Sequence, residues 1–244
     1  MKTRSNSAGT QLKQAQTAIN NTLGNATIKA VAATFGYTVA RLNAGKTLLN
    51  AAITAVDEAT FLAGAQREAT QEVRDTFESA RGAFQGLAKV ARAIFKKQPE
   101  HLTALGLDDP MPVKMDDFAA SAQTLFNSGE YPTAITTALE NNGYGSSKLS
   151  TERGKIAEFN AARDAQATAI SDAEQATKDK TDALQALHDW YMEFRKIMRV
   201  ALKEKPLSLK KLGIPYRVTK SKAQRGAPAK AKATRAAKKV PKAA

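Results

Sequence analysis

AQTAIN at residues 15–20 returns as AQTLFN at residues 122–127, a shift of 107 positions. Sliding the whole chain on itself by 107, without gaps, brings further residues into register. Gly36-Tyr37 falls on Gly143-Tyr144, Leu42 on Leu149, Ala69-Thr70 on Ala176-Thr177, and Asp75 on Asp182. Lys89, Arg92 and Lys96 fall on Lys196, Arg199 and Lys203, and Pro99, Leu102, Leu105 and Gly106 on Pro206, Leu209, Leu212 and Gly213. About one position in five is identical. Chance matches are common among alanines, so the glycine, proline and tyrosine matches carry the reading. The period is far above the 20–50 residues of solenoid units. The chain therefore reads as two copies of one substantial unit.

Each copy has the same punctuation. Helical patterns cover roughly 9–22 and 25–35, and Gly36 ends the second as a left-handed cap. Thr38, or Ser146 in the second copy, is placed to cap the next helix. The stretch 38–97 has no proline, and its apolar or small residues step by 3 and 4 from Leu42 and Leu49 through Val73, Phe77 and Phe84 to Ile94. That is a heptad pattern. The second copy keeps the frame with Ile156, Phe159, Leu187, Tyr191, Phe194 and Met198, but its middle is polar at Arg163, Gln166 and Lys180. Pro99 and Pro206 each start a short helix at a position where proline fits, and Gly106 and Gly213 stop it. Leu107 and Ile214 then suit the apolar contact of a Schellman cap.

The expected fold is all-α, with two tandem repeats of about 107 residues, each carrying short helices and one long heptad-patterned helix. An unbroken 60-residue helix is about 90 Å long. The second long helix is then expected to run antiparallel to the first about a pseudo-two-fold, as a rod. A rival reading places hairpins near Gly64 and Ser171, where Ser171–Glu174 matches a capping box, and gives a compact four-helix bundle. The domains read as 1–107, 108–218 packed with it as one body, and a tail, 219–244.

The GY…L element, the long Ala-rich helix and the closing ALKEKPLSLKKLGI segment, each present in two versions, resemble a group of bacterial all-helical proteins with two tandem repeats. The resemblance covers about 10 to 217. It implies the fold and carries no activity.

Hydrophobic residues make up 43% of the 244, enough for a core, and aromatics only 6%. There is no cysteine, which excludes disulfides, thiol catalysis and cysteine zinc sites. The basic start has no apolar run behind it, and no stretch of about 18 apolar residues occurs, so neither a Sec signal peptide nor a membrane span is expected. A cytoplasmic location is the default expectation, with a non-Sec export route left open.

No motif commits the chain to chemistry. Gly45-Lys46-Thr47 has the ending of a phosphate-binding loop, but Ala40 stands where that loop needs glycine, and the setting is helical. His101 and His188 do not correspond under the repeat and lack metal-ligand spacing. Asp108, Asp109, Asp116 and Asp117 lack the pattern of a calcium loop and read as a solvated loop followed by an Asp-capped helix. Trp190, Tyr191, Phe194, Ile197, Met198 and Ala201 recur at helical spacing and read as a core face rather than a base-stacking platform. No catalytic residue, metal, cofactor or small-molecule substrate is assigned.

Charge carries the functional expectation. The net charge is +14. Residues 195–244 hold 17 Lys or Arg and one acid (+16); residues 1–194 hold 20 and 22 (−2). Residues 219–244 contain nine cations, Lys220, Lys222, Arg225, Lys230, Lys232, Arg235, Lys238, Lys239 and Lys242, and no acid. This Lys/Ala/Pro composition resembles the tails of linker histones and bacterial histone-like proteins. Such a segment is expected to be disordered when unbound and to bind DNA or RNA backbone, or another polyanion, without sequence specificity. Lys196, Arg199 and Lys203 form an accessory basic stripe. The chain reads as a non-enzymatic architectural protein. The alternative is a self-assembling structural subunit, a filament or oligomer, whose basic tail packs on acidic surfaces of neighbouring subunits.

Overall fold

In the computed structural model, residues 7–126 and 131–216 are described. They form eight helices and no strand: α1 (Ala8–Gly24), α2 (Ala26–Thr34), α3 (Val39–Ile94), α4 (Pro99–Ala104), α5 (Met115–Phe126), α6 (Thr133–Glu140), α7 (Ser146–Ala201) and α8 (Pro206–Lys211). The duplication is written in the boundaries. Shifting α3 and α4 by 107 positions gives the bounds of α7 and α8.

The stops repeat as well. Gly36 and Gly143 both have φ 84°, and Gly106 and Gly213 have φ 67° and 68°, a region open to glycine at little cost. Each closes a Schellman cap. Tyr37 N–H donates to the Ala32 carbonyl and Tyr144 N–H to that of Leu139; Leu107 N–H reaches Leu102 and Ile214 N–H reaches Leu209, each bond 2.9–3.0 Å. Thr38 caps α3, its Oγ1 accepting from the Arg41 N–H at 3.4 Å. Ser146, expected to do the same for α7, is instead the first helical residue; the residue at the place of Thr38 is Gly145, whose carbonyl accepts from Leu149 N–H.

No hairpin opens at Gly64 or Ser171, so the four-helix-bundle alternative loses its turns. Both residues lie inside unbroken 56-residue helices. The candidate capping box at Ser171 is overridden because the buried face runs on through Ala173 and Ala176, with no proline or positive φ to end it.

The chain divides into two compact units, and the cut does not fall between the repeats. One unit joins the chain up to Ala52 to the chain from Leu184; the other is Ile53–Ala183. Each thus combines the first half of one copy with the second half of the other. Within the first unit, Tyr37, Arg41 and Gly45 meet Phe194, Glu193 and Trp190, so α3 and α7 run antiparallel there. Within the second, Thr70 and Phe77 meet Gln166 and Phe159, again antiparallel.

The same places are buried in both units, with different side chains. Ala18 and Ile19 of α1 correspond to Leu125 and Phe126 of α5, and all four are at most 2% exposed. The size difference runs the other way on the long helices: the first unit buries Phe194 and Met198 of α7 where the second buries Leu87 and Ala91 of α3. Close packing demands this exchange, since interiors tolerate neither voids nor overfilling. Thr17 and Thr124 of the AQT repeat share a role. Their Cγ2 atoms lie 3.6 Å and 3.0 Å from where a Cβ would stand on Gly213 and Gly106, holding α1 against the α8 turn and α5 against the α4 turn.

Candidate functional site

The end of α7 and the α8 segment carry the accessory basic stripe, the part of the sequence-assigned cations that the structure describes. Lys196, Arg199 and Lys203 are all exposed; Lys196 and Arg199 share one face of the last turns of α7. Lys203 lies in the turn after α7, where its N–H donates to the Val200 carbonyl at 3.3 Å. Lys205, Lys210 and Lys211 are exposed beside them, and Glu204 is the single acid in this stretch. These three lysines were not assigned from sequence, although their position in the closing segment marks them. The nine tail cations lie outside the described residues.

Arg199 also has a structural task. Its Nη2 donates to the Pro215 carbonyl at 3.4 Å and ties the segment after α8 to α7. Arg92, its counterpart, donates to the carbonyls of Leu107 at 3.3 Å and Asp109 at 2.9 Å. The repeated arginine therefore holds a repeated turn, and Lys196 and Lys203 are the freer cations of the stripe.

Beside the stripe is a shallow groove of about 570 Å³, lined by Pro206, Leu207, Lys210, Ile214, Pro215 and Tyr216. Leu207 is 75% exposed and Tyr216 43%. The surface is thus mixed, with Lys210 beside an apolar floor.

The aromatic stretch of α7 faces inward, as its spacing predicts. Phe194 and Met198 are fully buried and Tyr191 nearly so. Trp190 stacks on Phe194 with centroids 5.3 Å apart and meets Tyr37 edge-on at 6.0 Å. Arg41 lies over the Tyr37 ring at 4.3 Å and pairs with Glu193 at 2.6 Å. Burial pushes the Tyr37 hydroxyl up to about 12; Glu193 adds to the rise and Arg41 opposes it.

Gly45 of the loop-like Gly45-Lys46-Thr47 lies within α3, and Trp190 occupies the space over it. The glycine serves packing and not phosphate binding. In the other unit the corresponding places hold Glu152 and Ala83, both buried. The Glu152 carboxylate accepts from Lys148 and Lys155, each at 2.7 Å. Burial works to raise its pKa, but the two lysines together hold it below the ordinary carboxylate value. Glu193 corresponds to Gly86, so α7 supplies the carboxylate in both units: facing Tyr37 from the opposed helix in one, and from the helix that follows Tyr144 in the other.

The remaining sequence candidates disperse. His101 packs edge-on against Phe95 at 5.0 Å. Asp108 accepts from the Thr103 hydroxyl at 2.9 Å, while Asp116 pairs with Arg163. Asp116 and Asp117 sit in the first turn of α5 rather than at its cap, where they still complement the helix dipole. Among the described residues, no three His, Cys, Asp or Glu side chains are grouped to hold a metal, and no helix is long and apolar enough to cross a membrane. No protein-family model, curated protein or solved structure matches the chain.

Proposed function

We propose that the chain is a non-enzymatic architectural protein whose basic C-terminal segment binds nucleic-acid backbone, or another polyanion, without sequence specificity. One observation carries the reading: residues 195–244 hold a net +16 while the preceding 194 hold −2. Lys196, Arg199 and Lys203 begin this segment from exposed places at the end of α7 and extend the basic surface onto the helical body. A run of cations of this kind neutralises phosphates and releases condensed counterions, so affinity depends on charge and ionic strength rather than base sequence. The α7 aromatics Tyr191 and Phe194 are buried, so this face offers cations rather than a base-stacking platform.

The test is a gel shift of the full chain against residues 1–218, with unrelated duplex and single-stranded probes over a salt series. Full-length protein is expected to bind all probes at low salt and release them as salt rises. Binding that survives removal of residues 219–244 undiminished, or no binding at low salt, overturns the proposal.

A further inference from the structure

The repeat builds one scaffold twice and charges it oppositely. Residues 205–216 contain Lys205, Lys210 and Lys211 and no acid, a formal +3. The corresponding residues 98–109 contain Glu100, Asp108 and Asp109 and no Lys or Arg, a formal −3. The backbone beneath is the same: a proline-started helix of six residues, a glycine at φ near 67°, and an arginine from the preceding long helix holding the turn. Asp108 and Asp109 are exposed, and the chain then passes through Pro110, Met111 (packed on the core of its own unit) and Pro112 to Val113, which is 92% exposed, so the aspartates and Val113 are what the segment offers a partner. The basic counterpart offers the groove floored by Leu207, Ile214, Pro215 and Tyr216.

We infer that the α8 groove of one molecule receives the Asp108–Val113 segment of a second copy. The two surfaces complement each other in charge and in apolar content. Pro110 and Pro112 stiffen the entering segment and lower the entropy lost on docking, and a Tyr/Pro-lined groove suits an extended proline-containing chain. Lys210 in the groove wall, with Lys205 and Lys211 on the same basic segment, attracts Asp108 and Asp109, which favours this register over its reverse. The contact joins two different surfaces, so each partner keeps one unused. Association of this heterologous kind continues into rings or open chains. A segment this short buries less than the roughly 1,600 Å² of a standard interface, so the contact is weak and concentration-dependent. It involves no nucleic acid and stands independently of polyanion binding.

Sedimentation of the full chain, freed of nucleic acid, tests it. Average mass is expected to rise with protein concentration at low salt. Lys210→Glu/Lys211→Glu and Asp108→Lys/Asp109→Lys are each expected to weaken association about tenfold or more, with unchanged helical circular dichroism. Leu207→Ser removes apolar contact without touching charge and is expected to weaken it too. Mixing the two charge-reversed variants restores association, because the intact groove of one meets the intact segment of the other and reversed groove meets reversed segment. A wild-type chain that stays monomeric at its highest concentration overturns the inference. So does association lost with the aspartates but indifferent to Lys210 and Lys211, or a mixture that does not recover.

Discussion

A Cβ on Gly45 would stand 2.2 Å from Cζ2 of Trp190, inside the distance at which atoms can coexist. The obstacle is a stacked ring and not a flexible chain end, so it does not simply step aside. Gly45→Ala is expected to cost about 1–3 kcal/mol by overpacking, more than the roughly 1 kcal/mol alanine returns through helix propensity. Urea unfolding followed by tryptophan fluorescence measures it. In a Trp190→Ala background, read by circular dichroism, the penalty disappears; persistence there would locate the strain elsewhere.

Gly64 lies in the same helix with no atom within 4 Å of an added Cβ. Gly64→Ala is expected to stabilise the protein by roughly 0.5–1 kcal/mol, since only backbone entropy and propensity change. The opposite signs at Gly45 and Gly64 can be read in one thermal-melt experiment.

Tyr37 and Tyr131 are both pushed up to about 12 from the ordinary 10.0, chiefly by burial. Folding favours their neutral form. Their contribution is therefore whole below pH 10.0 and is lost as pH climbs through about 12. The Tyr37 hydroxyl has no hydrogen-bond partner among the described residues, so Tyr37→Phe is expected to be near neutral at pH 7 and to flatten the alkaline loss. Tyr131 donates to the Thr124 and Leu125 carbonyls, and Tyr131→Phe is expected to cost about 1 kcal/mol at pH 7 as well. Unfolding free energy against pH distinguishes the two variants.

Glu152 is 4% exposed between Lys148 and Lys155. Its folded pKa lies below the ordinary 4.5, so its contribution is present above pH 4.5 and fades as pH falls through the lowered value. Glu152→Gln is expected to cost about 1–3 kcal/mol at neutral pH by weakening charge-assisted hydrogen bonds, and less in acid. Denaturant titrations at the two pH values check it.

Lys196 and Lys203 contribute to polyanion binding only if the surface stripe engages phosphate. In that case Lys196→Gln/Lys203→Gln lowers the slope of log affinity against log salt by about 1.8, at about 0.9 per duplex phosphate released. Arg199 is a poor choice for this test, since it also holds the Pro215 carbonyl.

Much of the fold was legible because the residues that set it have few roles. A glycine between a helix and an apolar residue, twice, at a shift of 107, marks a left-handed stop whatever surrounds it. The apolar stripe from Leu42 to Ile94 is buried or half-buried throughout, as its spacing required. Glu152 was readable too, since it keeps phase with Leu149, Ile156 and Phe159, yet a carboxylate in such a frame looks like a break until its two lysines are seen. Gly45 could not be read, because nothing local says that a tryptophan 145 positions later lies against it. The lysines of the α8 segment were hidden by their neighbours in a strongly basic run, where no single charge stands out.

The reciprocal make-up of the two units sets an order of assembly. Ile53–Ala183 is continuous in the chain, whereas the chain up to Ala52 shares its unit with the chain from Leu184. On a ribosome, the middle of the protein can close first, while the first helices emerge early and keep their apolar faces unsatisfied until synthesis is nearly done. Chains that have just been made are then most exposed at their N-termini, and another nascent chain presents the same surfaces to them.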